Sequence, residues 1–135
     1  MNYFEELKQA ILNEDFYTTN EIIEKIKLES NAFEYVKPLL LIMEENPNID
    51  FGAPGPATHF VESYYKRGYE KLLLESINRF PTNQTLWMLN RIINDVNLED
   101  RELYLDAMEN VIHRNDVDDS VRNEAQQFYK YQKEK

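Results

Sequence analysis

The sequence contains no cysteine. That excludes a disulfide scaffold, a thiolate zinc site, a thiol nucleophile and a cysteine-held iron–sulfur centre. Glycine is scarce as well: three occur in 135 residues, too few for a hairpin-rich β protein. No apolar run approaches the roughly 18 residues that a membrane-spanning helix needs. The opening, MNYFEELKQA, places two glutamates where a secretory signal needs a basic start and an apolar run. There is no G-x-S-x-G elbow, no glycine-rich phosphate loop and no H-E-x-x-H. Bases are outnumbered: 15 Lys and Arg stand against 25 Asp and Glu, for a net charge of −10. Phosphate neutralisation needs clustered Lys and Arg, so no direct contact with nucleic acid is expected. These absences lead to the expectation of an acidic, soluble, cytoplasmic protein with no membrane span, no cofactor and no metal.

What is present is a globular composition, 42% apolar and 13% aromatic, too aromatic for a disordered chain. The length suits a single domain over residues 1–135. Such a chain buries about two-thirds of its unfolded surface without a staple. The charge is uneven. Residues 1–38 and 39–63 each carry −4, 64–94 carry +3, 95–119 carry −7 and 120–135 carry +2. Blocks this strong can steer a partner of opposite sign, or can simply be solvated helix faces.

The patterning is helical throughout. Asn2 and Glu5, Thr18 and Glu21, and Asn31 and Glu34 each have capping-box spacing ahead of apolar residues at helical intervals. Pro38 either kinks the third helix or sits in its first turn. The third helix is expected to stop near Asn46-Pro47, and a loop runs from Asn48 to Pro56, where Gly55 suits an N-cap and Pro56 a first helical position. The fourth helix is expected over Pro56 to about Tyr65. Gly68 breaks the chain before a fifth helix, Tyr69 to Arg79. Thr82 caps a sixth, Asn83 to Val96, whose stripes Leu86, Leu89, Ile93, Val96 and Met88, Ile92 predict packing on more than one side. Asn97 is the predicted cap of a seventh, Leu98 to Arg114. Asp116 or Asp118 caps an eighth, with Val121, Ala125 and Phe128 on one face. The fold class expected is all-α: about eight short antiparallel helices in an α-solenoid-like (HEAT-like) stack of hairpins.

The chemistry-bearing residues are few. His59 and Glu62 lie three apart on the fourth helix and share a face, with Asp50 in the loop before it. They suit a carboxylate–histidine site or half of a metal site whose remaining ligands the sequence does not name; equally, His59 can bond a neighbouring carboxylate. Asp50, His59, Glu62, Tyr64 and Tyr65 form a candidate contact surface, while Phe51, the glycines and the prolines read as structural. Trp87, the single tryptophan, shares a helical face with Asn90, Arg91 and Asn94. It reads as core or as an interface anchor. Glu102, Asp106 and Glu109 follow helical spacing on the seventh helix, and Asp116, Asp118 and Asp119 extend that acidic patch or serve the next helix N-terminus.

Two strings stand out: D-F-G-A-P-G-P-A-T-H-F-V-E over Asp50–Glu62, and W-M-L-N-R-I-I-N over Trp87–Asn94, preceded by Gly68–Ile77 and Pro81-Thr82. Together, over roughly residues 30–96, they resemble small all-helical immunity proteins of bacterial polymorphic toxin systems, including contact-dependent growth inhibition. The resemblance implies a non-enzymatic inhibitor. It implies a protein partner, the cognate toxin domain made by the same cell, whose active site or substrate groove is blocked. Toxins of this kind are often nucleases with basic surfaces, which suits an acidic inhibitor. Partner contacts are then expected among Asp50, His59, Glu62, Tyr64, Tyr65, Trp87, Asn90, Arg91, Asp106 and Glu109. The rival reading is a helical-repeat scaffold or adaptor that binds a peptide or helix without any toxin. A metal-dependent hydrolase built on Asp50, His59 and Glu62 is the third.

Overall fold

The computed structural model describes all residues from Met1 to Lys135, and side-chain caps open two of its helices. Eight α-helices and one 3-10 turn are present and no strand, so the fold is all-α. They are α1 (Phe4–Leu12), α2 (Phe16–Ile26), the 3-10 turn Ala32–Tyr35, α3 (Val36–Glu45), α4 (Pro56–Glu62), α5 (Tyr69–Arg79), α6 (Asn83–Ile93), α7 (Arg101–Ile112) and α8 (Asp119–Glu134). No helix is long and apolar enough to cross a membrane. The chain forms two units, Met1–Leu72 and Leu73–Lys135.

In the first unit α2 packs against α1 and α4, and α3 against α4 and the 3-10 turn. Leu7, Ile23, Ile26, Leu40, Met43, Phe60 and Val61 meet in the core. Several predicted starts move. Asn2 does not cap α1: Tyr3 holds that position, with no side-chain cap, and its N–H donates to the hydroxyl of buried Tyr35 at 3.1 Å. α2 begins before Thr18 because Asp15 takes the cap, accepting from the Thr18 N–H at 3.0 Å and the Thr18 hydroxyl at 2.7 Å. Both bonds hold the exposed Asp15 carboxyl below its ordinary range. Asn31 precedes the 3-10 turn and makes no side-chain cap there. Pro38 lies in the first turn of α3, where proline is tolerated. Gly55 and Pro56 start α4 as expected, but α4 ends at Glu62, three residues early.

The second unit holds α6, which packs against both α7 and α8, themselves in contact. Thr82 caps α6 through a reciprocal box with Thr85. The Leu86, Leu89 and Ile93 stripe is fully buried, with Met88. Val96, expected inward, is 87% exposed, because α6 ends at Ile93. Asn97 does not cap α7: its N–H bonds to the Asp95 carboxylate in a turn, and Asp100, at a left-handed φ of 55°, stands before Arg101. The Arg101 guanidinium donates to the Ile93 and Asp95 carbonyls, satisfying acceptors that a helix end leaves open. Arg114 does the same for the end of α5, donating to the carbonyls of Ile77, Asn78 and Arg79 at 3.4, 2.9 and 3.2 Å. Asp118 holds the N-cap position of α8.

Candidate functional site

The loop before α4 is built from the backbone outward. Gly52 has a φ of +87°, and a Cβ there would lie 2.4 Å from the Gly55 Cα. A Cβ on Gly55 would lie 2.0 Å from the Phe51 carbonyl oxygen. Only glycine fits either position. Phe51 is buried as the plug of the loop. The Asp50 carboxylate accepts from the Gly52 N–H at 2.8 Å, closing an Asx turn. The Asp50 N–H donates to the Glu14 carboxylate at 2.7 Å, tying the loop to the turn between α1 and α2. Asp50 therefore shapes the loop while its side chain stays exposed.

His59 is exposed on α4 and Glu62 half-buried one turn on. No three His, Asp or Glu side chains of the protein converge to hold a metal ion. Tyr64 is half-buried and packs edge-on against Phe33 (centroids 5.1 Å apart) and Phe60 (5.5 Å). The Arg67 guanidinium covers it at 4.8 Å. Gly68, at a φ of +113°, sits over the same Phe33, which a Cβ would approach to 3.0 Å. Tyr64 thus belongs to a small aromatic cluster. Tyr65 is half-buried, with the Lys66 ammonium 5.8 Å from its ring.

On α6, Trp87 is half-buried and the Arg91 guanidinium lies 4.9 Å from its ring, a cation–π pair at the surface. Asn90 turns the other way. Its amide oxygen accepts from the Gln132 amide of α8 at 2.8 Å, as does that of Asn94. Gln132 is 4% exposed, and its oxygen accepts from Arg101 at 3.1 Å. Asn90 therefore helps to dock α8. On α7, Asp106 is exposed and Glu109 half-buried. The proposed extension of that acidic patch is partly taken up by structure. Asp116 pairs with Arg114 at 2.8 Å, and Asp119 pairs with Arg122. Hydrogen bonding from Arg114 lowers the Asp116 carboxyl to about 2.

The patterning did not single out a third surface, the α1–α2 hairpin. Between its helices lies an open groove of about 390 Å³, floored by Ala10 and Ile22 and walled in part by Glu6, Asp15, Glu21 and Lys25. Beside it, on the outward face of α2, Tyr17 is 75% exposed; Leu28, just past the helix end, is 88% exposed. Tyr17, Glu21 and Glu24 follow one another at spacings of four and three, a helical stripe opposite buried Ile22, Ile23 and Ile26, and Leu28 continues it in the turn past the helix end. That spacing was the available signal. The chain matches no family model, and no curated protein or solved structure is significantly similar to it.

Proposed function

We propose that this chain is an immunity protein that binds a cognate bacterial toxin domain, a basic nuclease, and covers its active site or substrate groove without catalysing a reaction. The observation that carries the reading is the disposition of charge. Of the 25 Asp and Glu side chains, only Glu44 is buried, so nearly all of the acidic excess lies where a partner meets it. Such a surface offers carboxylates to the positions that phosphates occupy in a nuclease. The two strings of the α4 and α6 regions, which resemble immunity proteins, support the same reading. On this proposal the chain acts in the cytoplasm, where its toxin would otherwise attack.

Coexpression with the reading frame directly upstream of the gene tests it. Growth arrest by the upstream product alone, relieved by this chain in a complex that co-purifies, is the expected result. A harmless upstream product that does not bind would overturn the proposal.

A further inference from the structure

We propose that the α1–α2 hairpin is the principal contact surface for that partner, with a Lys- or Arg-bearing segment of the toxin lying along its groove. The inference rests on the immunity reading and adds to it a place and a chemistry. Three observations converge. The groove is open and lined mostly by polar side chains, with the nearly buried Ala10 and Ile22 at its base. Its walls carry Glu6, Asp15 and Glu21 against one base, Lys25, and Asp15 is held ionised by its own cap bonds. Glu21 also stands on the outward stripe, between Tyr17 and Leu28. Two large apolar side chains held out in water at 75% and 88% exposure contribute nothing to the core of the fold. With carboxylates around it, Tyr17 has the character of an interface anchor, and Leu28 adds exposed apolar area beside it.

The occupant follows from charge. A second copy of this chain would bring another net −4 over residues 1–38 and be repelled, whereas a basic segment is drawn in by opposite charge and finds apolar surface on arrival. The loop before α4 and the turn after it, by comparison, use Asp50 and Tyr64 to hold their own shape.

The test measures binding of the purified upstream product to the full-length chain and to two double variants, Y17A/L28A and E6K/E21K. Thermal melts accompany each, since the substituted side chains lie on the surface. Binding to the wild-type chain, weakened about 100-fold by Y17A/L28A with an unchanged melt, is the expected result. E6K/E21K should lose at least about 10-fold, mostly through slower association. If the wild-type chain binds and both variants bind equally well, the hairpin assignment fails while the immunity reading stands. If the wild-type chain does not bind, the immunity reading falls and takes this inference with it. Concentration-dependent dimerisation abolished by Y17A/L28A would give the face to a second copy instead and overturn the proposal.

Discussion

Replacing Gln132 by alanine should loosen the C-terminal helix far more than its place three residues from the chain end suggests. The side chain is 4% exposed, and it joins three elements: it donates to Asn90 and Asn94 of the α6 end and accepts from Arg101 of α7. Each neutral amide bond contributes about 1 kcal/mol net, and the charged Arg101 donor about 1.5 kcal/mol. Asn94 is exposed and Arg101 half-buried, so water recovers part of this in the variant, leaving a loss of about 2 kcal/mol. For a chain of this length that lowers the melting temperature by about 6 to 10 °C. Hydrogen exchange adds the location: amides in the last two turns of α8 should lose protection before those of α6. A Q132A protein that melts within about 2 °C of wild type and keeps α8 protection would refute the reasoning, because the network would then be worth no more than a surface contact.

Other substitutions probe separate parts of the account. L89A empties a fully buried position on α6 and should cost about 3 kcal/mol in denaturant unfolding. T82A removes one half of a buried capping box and should cost about 1 to 2 kcal/mol by the same measurement. G55A drives a methyl group into the Phe51 carbonyl; a loss of more than about 2 kcal/mol, with greater proteolysis in the 46–55 loop, is expected. The Asp116 carboxyl is lowered from 3.8 to about 2, so its pairing with Arg114 stabilises the fold fully above the ordinary value and is lost as pH falls toward 2. D116N should therefore flatten that stretch of the stability profile, as read by urea unfolding across acid pH.

The helical class, the number of helices and the starts at Pro56, Tyr69 and Asn83 were legible because each rests on local chemistry: Gly55 with Pro56, the break at Gly68, and the Thr82 cap. Other boundaries lie where tertiary packing or a better local cap puts them. Tyr35 claimed the Tyr3 N–H from across the fold, and Asp15 was a better cap than Thr18. The apolar period carried Val96 past the true end of α6, since periodicity alone does not mark where a helix stops. Gln132 and Arg114 were illegible for a different reason. Both lie in polar stretches, and only tertiary packing shows that one is buried and the other closes α5. The exposure of Tyr17 and Leu28 was illegible because residue type does not disclose exposure. Asn90, expected among the partner contacts, also bonds to Gln132 of α8, a tertiary role its sequence position does not disclose.

The acidic surface as a docking surface is the claim on which the functional account depends. Stopped-flow association of the purified upstream product with this chain, run from low to high salt, tests it most directly. The account predicts a 1:1 complex whose association rate falls at least tenfold across about 0.02 to 0.5 M salt while dissociation changes little. No complex at any salt, or an association rate indifferent to it, would contradict the account.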